Sequence, residues 1–248
     1  MTRTKIEYAY YTWNPITGCL NTCEYCYARK IVNRFAKTKK KKPSEFMTLG
    51  FMNEVWGNGY VKYPWGFNPT LHFDRLDEPQ KIKKPSVIFV CSMADMFGGW
   101  IPYSWIQKVF EACKKAPQHI YIFLTKNPMR YERMMDEKLL RDNKNFYFGS
   151  TVDKDDTPAM WHLNKYNFFI NFEPLLEDVS HTESPFFALQ RWIIIGSETN
   201  NRKNKIIPKR EWIEKIVDKA KLFNIPIFMK NNLKSVWGDD LIQEYPWR

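Results

Sequence analysis

The sequence predicts an α/β fold, a parallel (β/α) barrel of eight units, with an open six-unit partial barrel as the alternative. Three observations carry this expectation. Short, near-continuous apolar runs recur along the chain, and each ends in a polar tip. The segments between them carry apolar stripes at helical spacing. A cysteine-rich loop follows the first run. Apolar strands alternating with amphipathic helices indicate a parallel sheet covered on its outer face.

The elements follow in order. Residues 7–13 alternate well enough for a first strand, whose end delivers the chain into the cysteine loop. From Glu24 to about Lys37, Tyr27, Ile31 and Phe35, with Ala28, recur at helical spacing, and Arg29, Lys30 and Arg34 share that helix. Pro43 closes a basic run that includes Lys37, Lys39, Lys40, Lys41 and Lys42. Residues 44–69 are irregular and aromatic, with Phe46, Phe51, Trp56, Tyr60, Tyr63, Trp65 and Phe67. A loop this long is uncommon unless functional. A basic and aromatic insertion is therefore expected at about 37–69. It either packs over the barrel or stacks nucleobases.

The regular rhythm then begins. Strands are expected at 70–73, 86–91, 120–124, 145–149, 167–172, 192–196 and 226–229. Their tips are Asp74-Arg75, Ser92-Met93-Ala94-Asp95, Thr125-Lys126-Asn127, Ser150-Thr151, Glu173-Pro174, Ser197-Glu198 and Lys230-Asn231-Asn232. Between them, Trp105, Ile106, Val109, Phe110 and Cys113 form one helical stripe, and Trp212, Ile213, Ile216, Val217 and Ala220 another. In a parallel barrel the C-terminal ends of the strands meet on one face, where the chemistry of such barrels is found. The polar tips and the cysteine loop are expected there.

Composition bounds the rest. The chain has 248 residues, 44% of them apolar, which suits one large domain spanning 1–248. No apolar run of membrane-spanning length occurs, and Met1-Thr2-Arg3-Thr4-Lys5-Ile6-Glu7 lacks the apolar core of a signal peptide. The expected location is cytoplasmic, without membrane association, which suits reduced thiols. The net charge is +11, and residues 1–43 hold ten Lys/Arg against two acids. That surplus reads either as a patch for nucleic acid or a phosphorylated substrate, or as a solvated loop.

Chemistry concentrates in Gly18-Cys19-Leu20-Asn21-Thr22-Cys23-Glu24-Tyr25-Cys26-Tyr27-Ala28, which holds three of the five cysteines. Thiols this close fit a loop wrapped around something that needs three sulfur ligands. Structural zinc normally recruits four protein ligands, and the next cysteine is the distant Cys91. A cubane iron–sulfur cluster on three thiolates leaves one iron open. His72, His119, His162 and His181 show no metal-ligand spacing.

The spacing C-x3-C-x2-C, with an aromatic before the last cysteine, resembles the cluster loop of the radical S-adenosylmethionine (radical SAM) superfamily. The longer run Trp13-Asn14-Pro15-Ile16-Thr17-Gly18-Cys19, continuing into Cys26-Tyr27-Ala28-Arg29, is similar to a narrower family of phage and prokaryotic radical-SAM-like proteins. The likeness extends to Arg75-Leu76 before Pro79, to Ser92-Met93-Ala94-Asp95-Met96-Phe97, and to Leu124-Thr125-Lys126-Asn127-Pro128. It takes in Phe172-Glu173-Pro174-Leu175-Leu176 and Phe228-Met229-Lys230 as well. That family carries no reaction across; the superfamily does.

The resemblance implies a [4Fe-4S] cluster on Cys19, Cys23 and Cys26, with S-adenosylmethionine chelating the open iron. An external donor such as flavodoxin or ferredoxin would supply one electron. Reductive cleavage would then yield methionine and a 5′-deoxyadenosyl radical that abstracts hydrogen from substrate. Tyr25 occupies the aromatic position that packs near the cofactor's adenine. The superfamily's Gly-Gly-Glu motif is absent, and Asp74-Arg75 stands in its place. Ser92, Asp95 and Lys126 are the substitute cofactor contacts among the tips, or else caps and surface groups.

Glu173 and Glu198 end later strands and are the candidate catalytic carboxylates, with Lys230 a natural partner; a salt bridge is the alternative for one of them. Cys91 is a candidate hydrogen-atom donor or a small buried strand residue, and Cys113 lies on an apolar stripe. The expected function is a radical SAM enzyme acting on a polar or anionic substrate, with nucleotides and nucleic acids among the candidates. The rival is a zinc-stabilised nucleic-acid-binding protein that uses the lysine run.

Overall fold

A computed structural model describes residues 1–35, 54–55, 63, 65–154, 165–179, 187–199 and 202–248. The lysine run at 37–42, most of the expected insertion at 37–69, His162 and His181 lie outside the described residues.

The strands form an α/β structure with a mostly parallel sheet of eight, in the order Thr2–Arg3, Tyr11–Trp13, Val87–Val90, Ile120–Thr125, Phe146–Thr151, Asn167–Phe172, Trp192–Ile195 and Ile227–Met229. By compactness the chain divides into two units, Met1–Leu124 with Met134–Arg141, and Thr125–Arg133 with residues 142–248.

In the first unit, β1 (Thr2–Arg3) runs antiparallel to β2 (Tyr11–Trp13). β2 pairs in parallel with β6 (Val87–Val90), which pairs in parallel with β7 (Ile120–Thr125). All four residues of β6 are buried, as its continuous apolar run requires. After the helices α1 (Tyr27–Phe35) and α2 (Glu78–Lys81), helix α3 (Tyr103–Lys114) lays Trp105, Ile106, Val109, Phe110 and Cys113 into the core. Its Phe110 meets Phe123 of β7 edge-on, with ring centroids 5.5 Å apart. Each such side chain contributes about 1.5–3 kcal/mol by leaving water.

One expected barrel strand behaves differently. β5 (Thr70–His72) belongs to a separate three-stranded sheet, between β3 (Ile16–Thr17), antiparallel to it, and β4 (Glu54–Val55), parallel to it. Seven of the eight expected strands therefore join the main sheet, and its eighth member is the two-residue β1. Among the described residues the strand pairing does not close the sheet into a barrel, since its order ends at β1 and at the strand Ile227–Met229. β5 is tied to the segment that leads into the cysteine loop, beginning at Gly18. A φ of +88° there turns the chain where a Cβ would stand 2.1 Å from the Asn68 carbonyl oxygen, so the segment before β5 packs flush against the start of the cysteine loop. His72 N–H then donates to the Pro15 carbonyl at 2.8 Å.

The second unit is more regular. β8 (Phe146–Thr151), β9 (Asn167–Phe172), β10 (Trp192–Ile195) and β11 (Ile227–Met229) are all parallel neighbours. Ile170, Phe172, Ile193 and Ile195 pack in one cluster with Ile213, Ile216, Val217 and Ala220 of the helix Arg210–Leu222. That helix stops where Asn224 takes φ +53°. Ile225 N–H then reaches back to Ala220 O at 2.9 Å and Asn224 N–H to Lys221 O at 3.1 Å, which satisfies the last carbonyls. Among the described residues, no helix is long and apolar enough to cross a membrane.

Candidate active site

In the first unit the cysteine loop joins β3 to helix α1 (Tyr27–Phe35) and is hooked in place by backbone. Gly18 N–H donates to Met93 O at 2.8 Å and Cys19 N–H to Phe67 O at 3.1 Å. Gly18 bridges in parallel to Ala94, so the loop begins as an extension of the β6 tip. Arg29, on the first turn of α1, folds back to donate to Cys19 O at 3.1 Å and Asn21 O at 2.6 Å, and lies 4.8 Å over the Phe67 ring. A guanidinium thus sits within the loop.

Cys19, Cys23 and Cys26 are half-buried thiols outside any disulfide. Cys26 Sγ accepts the Arg29 N–H at 3.4 Å, near the positive end of α1. Burial pushes the Cys19 thiol up to about 12, with the Asp95 charge adding to it and the Asn21 backbone opposing it. Among the described residues, no three His, Cys, Asp or Glu side chains converge as a metal-holding group. The donor set nevertheless fits an iron–sulfur cluster: three unbridged thiols lie on one short loop beside a half-buried guanidinium. Tyr25 is half-buried in the same loop.

The β6 tip supports this loop. Asp95 is buried, and both of its oxygens are engaged: Oδ2 accepts from the Asn21 amide at 3.2 Å and Oδ1 from Phe97 N–H at 3.1 Å. Ser92 Oγ donates to Asn14 Oδ1 at 3.3 Å, and its carbonyl accepts from the Tyr27 hydroxyl at 2.8 Å. Cys91 is buried at φ +60°, and burial pushes its thiol up to about 12, so it is a neutral S–H. Asn14 and Asn21 escaped the sequence reading, although both lie in the quoted motif.

The second unit gathers the other candidates at the C-terminal ends of its strands. Lys126 pairs with Asp153 at 2.7 Å, two residues past the end of β8. Glu173, just past β9, pairs with Lys230, just past β11. Gly196 leaves room for that pair, since a Cβ there would stand 3.0 Å from Lys230 Cδ and 3.1 Å from Glu173 Cγ. Glu198 is buried and held by Arg202 through two bonds of 3.1 Å, so both candidate carboxylates are salt-bridged. Asn232 clamps the backbone of Ser197 from both sides, at 3.0 and 2.7 Å. Asp153 and Arg202 also went unread, because each lies beyond its apolar run.

The family described as "Protein of unknown function (DUF5131)" matches residues 3–241, and the chain belongs to it. No curated protein matches the sequence. Among solved structures the fold is similar to spore photoproduct lyase. A mutant of that protein with bound AdoMet and dinucleoside spore photoproduct aligns with a TM-score of 0.57 at 10% identity. A second mutant gives 0.53 at 12%, and the complex with dinucleoside spore photoproduct 0.51 at 10%. Each alignment covers 92% of this chain and 78% of the lyase. At these identities the likeness is one of fold.

Proposed function

We propose that this protein is a radical SAM enzyme on a barrel-type domain spanning the chain. The observation that carries the reading is the C-x3-C-x2-C loop, hooked by backbone to the tip of a strand in a parallel sheet. The likeness to spore photoproduct lyase, a radical SAM enzyme, supports it at the level of fold. Cys19, Cys23 and Cys26 would hold a [4Fe-4S] cluster, which would supply the electron for reductive cleavage of S-adenosylmethionine. The electron donor to that cluster is an external protein such as flavodoxin or ferredoxin.

The chain's own residues set the stage. Arg29 balances anionic charge at the loop, and Asp95 fixes the loop through Asn21. Tyr25, Ser92 and Lys126 are the cofactor contacts in this reading. Lys126, held by Asp153, presents a cation to the cofactor's carboxylate. Glu173, poised by Lys230, is the carboxylate available for a substrate hydroxyl or amine or for proton transfer. Cys91 is the neutral thiol able to give a hydrogen atom. The substrate is polar or anionic, and the dinucleoside bound by the similar lyase supports a nucleotide or nucleic acid.

Anaerobic reconstitution with iron and sulfide, reduction with dithionite and assay for 5′-deoxyadenosine test this. A brown protein that makes 5′-deoxyadenosine, and loses the ability on Cys23→Ala, is the expected result. Unchanged cleavage in that variant, or a colourless protein holding one zinc, would overturn it.

A further inference from the structure

Helix α1 is fixed on its inner side and open on its outer side. Ala28 and Val32 are buried with Met93, and Ile31 packs against them. Tyr27, Lys30 and Arg34 recur at i, i+3 and i+7, so they share the opposite face along about 10 Å of helix. Tyr27 is 44% exposed, and Lys30 and Arg34 are exposed as well. The helix carries no acidic residue, and from Gly18 to Phe35 the cations Arg29, Lys30 and Arg34 stand against the single acid Glu24.

This face begins at the thiols. Cys26 precedes Tyr27, and its Sγ accepts Arg29 N–H at 3.4 Å on the first turn of α1. Leu20, in the same loop, is 49% exposed. Its place is set by Arg29, which holds the Cys19 carbonyl before it at 3.1 Å and the Asn21 carbonyl after it at 2.6 Å. An apolar side chain is thus held out in water beside the first turn of a basic helix. Tyrosine and arginine are enriched in protein interfaces, and a contact this small suits the transient encounters of electron-transfer partners.

We infer that this face, Leu20 with Tyr27, Lys30 and Arg34, is the docking surface for the one-electron donor, a protein with an acidic rim around its redox centre. The charge selects the partner: cations on the receiving face steer an acidic protein and fix its register. The position selects the role. Electron transfer falls off steeply with distance, and this face adjoins the loop that carries the three thiols. A nucleic acid would meet the same cations, but Leu20 offers it neither a hydrogen bond nor a ring to stack on. The inference rests on the radical SAM reading, which requires an electron from outside the chain.

Charge reversal in Lys30→Glu/Arg34→Glu tests it, beside Leu20→Ser, in full-length protein reconstituted with iron and sulfide. Formation of 5′-deoxyadenosine is followed with dithionite and, separately, with flavodoxin hydroquinone at increasing concentration. The expected result is the wild-type rate with dithionite in both variants. With flavodoxin, the half-saturating concentration rises about tenfold on charge reversal and by less in Leu20→Ser. The gap between wild-type and charge-reversed protein narrows in high salt, as screening requires. Equal flavodoxin dependence in the two proteins would overturn the inference. So would a proportionate loss of both rates, in the charge-reversed protein and in the milder Lys30→Gln/Arg34→Gln, since the face would then be structural. A fluorescent single-stranded oligonucleotide that binds more weakly to the charge-reversed protein, with flavodoxin dependence unchanged, would assign the face to nucleic acid instead. Each of these outcomes leaves cleavage by the wild type with dithionite intact. Wild-type protein that forms no 5′-deoxyadenosine with dithionite overturns the radical SAM reading, and the inference with it.

Discussion

The Asn21 amide donates to Asp95 Oδ2 at 3.2 Å across 74 residues of sequence, joining the middle of the cysteine loop to the tip of β6. The other oxygen of Asp95 holds Phe97 N–H, so one buried carboxylate organises the tip and anchors the loop at once. Asp95→Ala removes both bonds to a charged acceptor, a loss of about 2–3 kcal/mol. For a chain of this size that lowers Tm by roughly 5–10 °C. Iron bound per chain after reconstitution falls as well, because Asn21 lies between two of the proposed ligands. Wild-type iron content in this variant would show that the loop holds its shape without Asp95.

Gly18 is the second hinge of the same loop. Its positive φ and its approach to Asn68 and Pro69 leave no room for a side chain, and the atoms in the way are backbone. Gly18→Ala must therefore displace the start of the loop or the segment before β5. The expected outcome is folded protein with little reconstituted iron, read by metal analysis beside far-UV circular dichroism. Full iron loading would show that the close approach is dispensable.

Much of this arrangement is legible in the residues, and the exceptions share a cause. The four residues of β6 and the stripe of α3 bury as their apolar pattern demands, because burial along a regular element depends on local periodicity alone. β5 does not follow its pattern. Three buried residues cannot declare which sheet they join, and the partner Ile16–Thr17 is a two-residue run in a turn-rich segment. The positions of the cysteine loop and of the strand tips were readable because both adjoin apolar runs. Asp95 read as a cofactor contact, yet its oxygens are taken up by Asn21 and Phe97. Partners such as Asp153 and Arg202 lie outside any periodic element, and only the folded chain pairs them with Lys126 and Glu198.

The Glu198–Arg202 pair predicts an asymmetry. The Glu198 side chain is 1% exposed and that of Arg202 22%. Arg202→Ala leaves a buried carboxylate without its cation and costs about 3 kcal/mol or more, whereas Glu198→Gln leaves a guanidinium that can reach water. The arginine variant is therefore the less stable of the two in denaturant unfolding. Combining Arg202→Ala with Glu198→Gln recovers most of the loss. Equal destabilisation by the two single changes would contradict the buried-pair account.

His72 predicts the pH dependence of stability. Burial, reinforced by the nearby Arg75 cation, lowers its pKa from 6.5 to about 3, and its Nε2 shares a 2.8 Å hydrogen bond with Thr17 Oγ1. The folded protein therefore holds this ring neutral where the unfolded chain would protonate it. The unfolded state binds the extra proton between pH 6.5 and about 3, so stability is full above pH 6.5 and declines as pH falls through that window. Each pH unit inside it costs up to about 1.4 kcal/mol. His72→Gln keeps a hydrogen-bonding side chain but removes the titration. It should be less stable than wild type at pH 7.5 and lose less stability than wild type on going to pH 5. Denaturant midpoints at the two pH values measure this, and parallel losses in the two proteins would place the acid sensitivity elsewhere.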